Sequence, residues 1–258
     1  MGNSQPRMIK FFRRIRQKLL QENRFSKYLL YAVGEIVLVV IGIFIAIQLN
    51  DWNQNRIEKR QLDITLENLK EEFGSTKELL TSISSHYVTS IDANVRLLNL
   101  FMAHDGNILA QEIDILLSQS AKQGPFYPPQ PVLDELFNSG KIKSISNENL
   151  RRNLLEWESN IKWFHFDYGL MIAFSNDQFQ PYITKHWSWR NIEIMEGSKF
   201  FEERSAFNVD PNELLQKLEF ENLIDTNLFH TNRLYKRLKE TDVLLDSILQ
   251  QIDNSLSQ

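Results

Sequence analysis

Hydrophobic residues in this chain form one continuous block followed by several periodic series. The block runs from Tyr28 to Leu49, and Glu35 is its only charged residue. At a rise of about 1.5 Å per residue, it covers the roughly 30 Å hydrocarbon core of a bilayer. A buried core helix is the alternative, but only Glu35 and Gln48 could supply its polar face. The pattern therefore predicts a transmembrane helix over residues 28–49.

Three later segments repeat apolar residues at alternating steps of four and three, which is typical of helices that pack along a seam. They predict long helices over about 52–104, 147–182 and 222–255. The first seam comprises Leu62, Leu66, Leu69, Phe73, Thr76, Leu80, Ile83 and Tyr87; the second begins Leu150, Leu154, Trp157, Ile161 and Phe164; the third is Leu234, Leu238, Thr241, Leu245, Ile248 and Ile252. No segment has a convincing strand pattern. The predicted fold class is mainly α: one N-terminal transmembrane helix that continues into an antiparallel, coiled-coil-like helical bundle.

Two irregularities modify these helices. After Tyr87 the apolar residues step by four to Ile91 and Val95, which predicts a stutter in the first helix. The second helix carries another apolar face, so we expect it to lie at the centre of the bundle and to end at Pro181. That second face consists of Trp163, Phe166, Leu170 and Phe174.

Shorter elements are predicted from capping residues, prolines and glycines. Residues 108–122 form a short helix, and 124–131, with four prolines, form an extended connector before another short helix. Asp210-Pro211 has the N-cap and N1 residues of a helix start. Residues 187–208 are the least periodic stretch, which predicts a loop with one helical turn near Phe200.

Charge predicts the orientation of the transmembrane helix. Residues 1–27 carry eight Lys or Arg and one acid, whereas residues from 51 onward carry 21 basic and 31 acidic side chains, within a formal net charge of −4. By the positive-inside rule the basic head, residues 1–27, is cytoplasmic. We expect a single-pass protein of the inner (cytoplasmic) membrane, with an extracytoplasmic helical domain over 50–258 that is periplasmic in a Gram-negative cell.

The basic head has two interpretations. At helical spacing Phe11, Phe12, Ile15 and Leu19 share one face, so this segment could lie flat on an anionic leaflet. A solvated orientation signal needs only the charges. Both interpretations rest on the same electrostatics.

One face of the transmembrane helix carries the predicted association residues Glu35, Gly42 and Ala46. An acid in a membrane span is energetically costly, and a small-xxx-small spacing permits close approach of a second helix. A self-association or partner-docking face accounts for both features. The alternative is that Glu35 snorkels toward the cytoplasmic headgroups.

The sequence around this span resembles a known group of proteins. A basic head, then G-E-I-x-L-V-x-x-G-I-x-I-A from Gly34, then N-x-W-N from Asn50, resembles the N-terminal signature of an uncharacterised, domain-of-unknown-function family of single-span membrane proteins from Bacteroidota. Beyond it the resemblance thins to a loose L-x-x-S-G-K-I pattern from Leu136. The resemblance implies location and organisation, and it implies no catalytic residue, cofactor or substrate.

The sequence contains no recognisable motif for catalysis or metal binding. The five histidines have no zinc-ligand spacing, and His165-Phe166-Asp167 places neighbours on different sides of a helix. Cysteine is absent, and no nucleophile elbow, P-loop or G-x-G-x-x-G occurs. We therefore expect no catalytic, cofactor-binding or metal site and no enzymatic activity. The acidic outer part would repel nucleic acid.

Aromatic residues concentrate between Trp157 and Trp189. Most lie on the two periodic faces, where core packing is the simpler explanation. Trp187 and Trp189 lie outside the periodic part, so they are the candidates for exposed recognition residues.

These observations favour a membrane-anchored protein-interaction or scaffolding component of the cell envelope. Its expected partners are the lipid bilayer and either a second copy or another membrane protein. The alternative is a sensor-like module with a ligand cavity near the aromatic helix 157–189.

Overall fold

The computed structural model describes residues 25–102, 108–207 and 209–257, together with Arg13, Arg14 and Gln17. The chain divides into two compact units, residues 1–61 and 62–258. The described residues are mainly helical and contain no strand. Most of the predicted basic head, and the end predicted for the first long helix at about residue 104, lie outside these residues.

The helices follow one another along the chain as eight α-helices with two irregular turns among them in the described part. They are α1 Phe25–Met102, α2 Ala110–Ser120, α3 Pro131–Asn138, a 3-10 turn Lys141–Ser144, α4 Glu148–Phe174, a π turn Ser175–Phe179, α5 Gln180–His186, α6 Trp189–Met195, α7 Pro211–Leu215 and α8 Leu218–Leu256.

The first unit contains the apolar part of α1. Its most apolar 18-residue window has a mean hydropathy of 2.7, and none of that window is buried inside the protein. A core helix of a soluble protein would instead be mostly buried. This helix is therefore long and apolar enough to span a membrane.

The second unit is a helical bundle with α1, α4 and α8 as its long members. Asn153 of α4 donates to Ser247 of α8 and Asn147 donates to Gln251, so α8 runs antiparallel to α4. Phe73 and Trp157 form an edge-to-face pair with ring centroids 4.9 Å apart. The apolar seams therefore pack against one another as predicted.

A first core cluster fills one part of the bundle along these three helices. Every seam position of α1 from Leu66 to Tyr87 is buried, and so are the seam positions predicted for α8. Burial of such side chains contributes about 1.5–3 kcal/mol each. A second cluster joins the end of α1 to α2, α5, α6 and the start of α8.

A buried polar layer lies between the two clusters along α1 and α8. Asn227 donates to Asn94 at 3.0 Å, and Ser90 donates to the Ser120 carbonyl at 2.6 Å. Gln123 donates to Thr231 at 2.5 Å. Ladders of this kind satisfy the buried groups and fix the relative register of the helices.

This layer overturns the predicted stutter in the first helix. The seam continues through Ser90 and Asn94 to Leu97, and all three are buried. Val95, which the stutter placed on the seam, is exposed. The heptad spacing is therefore retained. At two of its positions, Ser90 and Asn94, the buried side chains make hydrogen bonds instead of apolar contacts.

The second long helix also differs from prediction. It does not end at Pro181 but passes through the π turn into α5, and Pro181 is tolerated in the first turn of that helix. The π turn contains Phe179, which lies one residue off the heptad register, as an inserted residue requires. Residues 189–195, predicted to be loop, form α6, which Ser188 caps by accepting a hydrogen bond from Asn191.

Other short elements agree with their predicted signals. Asp210 caps α7 by accepting from the Asn212 amide at 2.9 Å, with Pro211 as the first helical residue. Residues 122–130 lack helix before α3 begins at Pro131. Gly140 ends this region with a positive φ of 71°, which glycine adopts without strain.

Candidate interaction surfaces

The predicted association residues of the apolar segment are exposed on α1. Glu35, Gly42 and Ala46 lie at steps of seven and four residues on one continuous helix, so they share a face. A Cβ added at Gly42 would meet nothing within 4 Å. The face therefore leaves space for the close approach of a second helix.

Trp187 is buried, so the expectation that it is an exposed recognition residue is wrong. Its side chain is 6% exposed, and its indole Nε1 donates to Asp114 Oδ1 at 2.8 Å. Trp189 is half-buried and packs against the second core cluster. Asp114 is the physical reason, because a fully buried carboxylate on α2 requires donors around it.

The other oxygen of Asp114 binds Arg204, which belongs to the loop between α6 and α7. The Ser205 amide donates to Asn191 Oδ1 at 2.8 Å, and Arg190 lies over the Phe201 ring at 4.7 Å. The loop is thus fixed to α2 and α6 by several contacts. An ion pair with a fully buried acid is costly to break, because the carboxylate would lose its countercharge.

This fixed loop presents aromatic side chains to solvent. We define residues 198–207 as the aromatic loop. Phe200 is 91% exposed and Phe207 is 83% exposed. Glu202 and Glu203 lie between them, and no cation pairs with either within the described residues. An ordered loop with two exposed rings is typical of a binding element.

A second exposed apolar surface lies on α4, on the face expected to be buried at the bundle centre. Trp163 is 52% exposed and Phe166 is 55% exposed, with ring centroids 5.8 Å apart in an edge-to-face pair. Leu170 continues the surface, whereas Phe174 is buried. The helix therefore has one buried seam and one solvent-exposed apolar face. It does not lie at the centre of the bundle with helices on every side, as was expected.

Asp167 connects this face to α8. Its two oxygens contact the guanidinium groups of Arg233, at 2.5 Å, and Arg237. Arg237 also lies over the Trp163 ring, 5.7 Å from its centroid. Asp167 is buried, whereas both arginines reach solvent. Because two guanidinium groups pair with one carboxylate, the cluster has a net charge of +1.

A shallow groove of about 440 Å³ follows α8 beside Trp163. Its charged lining consists of three cations and one acid, which are Arg233, Lys236, Arg237 and Glu240. We define the aromatic–arginine face as the exposed residues Trp163, Phe166 and Leu170 of α4 with Phe229, Arg233, Lys236 and Arg237 of α8. Aromatic and arginine side chains are the residue types that dominate binding energy at protein interfaces.

His230 lies behind this face and packs against Phe174 in a tilted arrangement, with ring centroids 5.4 Å apart. Burial, reinforced by the nearby positive charge of Arg233, lowers the pKa of His230 from its ordinary value, and Asp167 opposes the shift. The ring is therefore held in its neutral form more firmly than in an unfolded chain.

An open cleft of about 640 Å³ lies beside the π turn, between α5 and the start of α8. Tyr182 and His186 pack together in its wall as a tilted ring pair, with centroids 4.4 Å apart. Burial, and the nearby negative charge of Glu219, raise the pKa of the Tyr182 hydroxyl. The remaining lining mixes charged and apolar side chains.

The same surfaces carry histidine and acidic side chains, which are residue types that bind metal ions. Within residues 25–102, 108–207 and 209–257, no group of three or more His, Asp or Glu side chains is placed to hold a metal ion. His165 Nε2 lies 3.0 Å from the Phe126 carbonyl, whereas Asp167 faces the arginines of α8. The two side chains point apart, as expected for near neighbours on a helix.

Sequence reasoning missed the aromatic–arginine face and the aromatic loop as exposed surfaces. One sequence feature could have indicated the face, because Arg233 and Arg237 lie one turn apart on the third predicted helix. Trp163, Phe166 and Leu170 could equally have packed against another helix, so periodicity alone could not distinguish the two arrangements. Arg204 and Asp114 are 90 residues apart, and no local pattern pairs them.

Comparison with known proteins supports part of the resemblance found in the sequence. No curated protein and no solved structure matches the chain. The matching family is described as a family of unknown function (DUF6090), and its match runs from Glu35 in the apolar segment to the first half of α4. Over residues 35–159 the chain is therefore similar to an uncharacterised domain family, DUF6090.

Proposed function

We propose that this protein is a membrane-anchored interaction protein whose helical bundle binds another protein through the aromatic–arginine face. The observation that carries the proposal is the exposure of Trp163 and Phe166 beside a buried carboxylate paired to two arginines. Exposed aromatic residues in contact with arginine match the composition of interface hot spots. The role is binding rather than catalysis, in accordance with the absence of a catalytic motif from the sequence.

The location is part of the same proposal. The apolar segment of α1 would cross the inner membrane once, with the basic head in the cytoplasm and the bundle in the periplasm as part of the cell envelope. The exposed, apolar window of α1 and the concentration of Lys and Arg before it support this location.

Association of the membrane helices would add to binding by the bundle. Glu35, Gly42 and Ala46 share an exposed face with room for a second helix. Close packing at small residues and a polar contact between helices favour association within a bilayer. Nucleic acid is not among the proposed partners, because the outer part of the chain is acidic.

The test compares the full-length chain with the variant W163S/F166S in mild detergent after chemical cross-linking in cells. We expect the wild type to form cross-linked complexes and the variant to lose most of them, because the two rings supply the apolar contact area. The matched control V88S removes an exposed apolar residue from α1, outside the aromatic–arginine face. A wild-type chain that stays monomeric and without a cross-linked partner would contradict the proposal.

A second candidate function is a sensor-like ligand-binding module. It is favoured by the cleft beside the π turn, because such turns often occur at functional sites. Native mass spectrometry of the full chain released from membranes tests it. A small molecule should remain bound to the wild type and be lost from N222W, whose larger side chain would occupy the cleft. If both proteins show only the calculated mass of their own polypeptide, with no bound small molecule, the sensor function is contradicted.

A further inference from the structure

We propose that the aromatic loop of one copy docks on the aromatic–arginine face of a second copy of this chain. The inference rests on the proposed function and names the partner that the face binds. Both halves of the contact are present in the same molecule, on different elements. One is the loop between α6 and α7, and the other is formed by α4 and α8.

The two surfaces do not cover one another within a single copy. Phe200 and Phe207 of the loop are almost fully exposed, and Trp163 and Phe166 of the face are more than half exposed. Each surface therefore leaves large aromatic side chains in water. Burying apolar area is worth about 25 cal/mol per Å², so a contact between two such surfaces is favourable.

Their charges are complementary. Between its two exposed rings the loop carries Glu202 and Glu203, while Arg204 is neutralised by Asp114. With the exposed Lys199 counted, the loop retains a net charge of −1. The face carries Arg233, Arg237 and Lys236, and Asp167 neutralises one of these charges. With Glu240 of the groove lining counted, the face retains a net charge of +1. An acidic and aromatic segment thus matches a basic and aromatic groove. Such complementarity selects the register and the partner of an interface.

The loop is already fixed in the shape that would dock. The ion pair of Arg204 with Asp114 and the hydrogen bond from Ser205 to Asn191 hold its backbone against α2 and α6. Arg190 holds Phe201 by a cation–π contact at 4.7 Å. Because an ordered loop loses little conformational freedom on binding, its affinity for a complementary groove is higher than that of a mobile segment.

A second copy is the occupant that these features favour. Copies attached to the same bilayer by their apolar helices would be confined to two dimensions, which raises their effective concentration. The contact is heterologous, since it joins two different surfaces. If the loop of each copy reaches the face of the other, the two copies form a closed dimer with two such contacts. Otherwise each copy binds the next one, and the contacts build an open chain of copies.

The test uses single cysteines in the full-length chain, which contains none of its own. Copies with F200C and one affinity tag are mixed with copies with F166C and another tag, reconstituted in vesicles, and oxidised. We expect a disulfide-linked dimer carrying both tags. In the control mixture V88C replaces F166C, since Val88 is exposed on α1 and belongs to neither surface. Equal dimer yields in the two mixtures would overturn the proposal.

Charge reversal supplies a second measurement on folded protein. K236E should lower the yield of the linked dimer about tenfold or more, because it places an acid opposite Glu202 and Glu203. K239E reverses a neighbouring exposed lysine outside the groove and should leave the yield unchanged. Copies with E202K/E203K, mixed with K236E copies, should recover the yield. Failure of this recovery would overturn the proposed pairing.

The outcomes separate this inference from the proposed function. If Trp163 and Phe166 are required for complexes with a different protein and no dimer of this chain forms, the second copy is the wrong occupant while the binding face stands. If neither kind of complex forms, both proposals fail.

Discussion

Two buried carboxylates, Asp114 and Asp167, each bind arginine side chains that reach solvent. A buried ion pair contributes little net stability compared with apolar packing, but removal of one partner is costly. At both sites an arginine links two separate elements, since Arg204 joins a loop to α2 and Arg237 joins α8 to α4. At the residue scale, these pairs therefore determine which surfaces of the bundle are held in place.

The pair at Asp167 predicts an asymmetry between its partners. The double variant R233M/R237M leaves a buried carboxylate without a cation and should lower the free energy of unfolding by about 3–5 kcal/mol. D167L should cost less, because the released arginines can turn toward water. Denaturant unfolding of the full chain in detergent, followed by circular dichroism, measures both values. A larger loss for D167L than for the double variant would contradict this assignment.

His230 predicts a dependence of stability on pH. Its folded-state pKa lies below the ordinary value of 6.5, so as the pH falls below 6.5 the unfolded chain binds the proton first. Stability should therefore decrease on acidification through this range, until the pH has passed the lower folded-state pKa.

The variant H230F should remove this component, and its melting temperature should fall less steeply below pH 6.5 than that of the wild type. H86F controls for the loss of a histidine from an exposed position on α1. Melting curves measured over a pH series supply the comparison. An unchanged pH slope in H230F would show that this ring does not contribute.

At the element scale, α1 and α8 are aligned by apolar seams on either side of a buried polar layer. The amide groups of Asn94 and Asn227 are joined directly, and Gln123 and Ser120 complete the network. A shifted register would leave these groups buried without partners, at about 1–3 kcal/mol each. The layer therefore specifies one alignment of two long helices whose apolar repeats would tolerate several.

The layer predicts non-additive effects of substitution. N227L should destabilise the bundle by about 1–3 kcal/mol, because it leaves the buried Asn94 Oδ1 without the amide that donates to it. The double variant N94L/N227L should cost less than the sum of the two single changes, since the residues interact. Chemical denaturation of the four proteins of this cycle measures the coupling. Strict additivity would contradict the network.

The sequence contained most of the information about the helices and less about the surfaces. Apolar seams such as Leu66 to Tyr87 were predictable because burial and helical period coincide. Ser90 and Asn94 were not, since polar residues at seam positions resemble an interruption until their partners on α2 and α8 are known. Trp187 was predicted to be exposed because its buried partner, Asp114, lies on a helix far away in sequence. Whether the second apolar face of α4 is buried or exposed depends on how many other helices pack around it. Hydrophobic periodicity does not determine that number.

At the scale of the whole molecule, charge and hydropathy vary in sequence order. A basic head precedes an exposed apolar helix segment, and an acidic helical bundle follows. This order favours insertion with the head in the cytoplasm. The bundle would then reach its partners outside the cytoplasm, where the proposed interaction takes place.

Orientation is tested by reporters fused after Gln258. Alkaline phosphatase, which is active only outside the cytoplasm, should be active in this fusion. A fluorescent protein that becomes fluorescent only in the cytoplasm should stay dark in the same position. Replacing the basic residues before the span by glutamine should reduce the fraction of molecules in this orientation, because the positive charges keep the head in the cytoplasm. A fusion that is active only in the cytoplasm would contradict the proposed orientation.

Binding of another protein by the aromatic–arginine face of the membrane-anchored bundle can be measured by position-resolved photo-cross-linking in cells. A photoreactive residue is placed in the full chain at Phe166 or Phe229, and at Val88 or Val95 on α1 as controls. We expect protein adducts in the membrane fraction from the first two positions and few from the controls. Adduct yields that are equal at all four positions, or highest on α1, would contradict it.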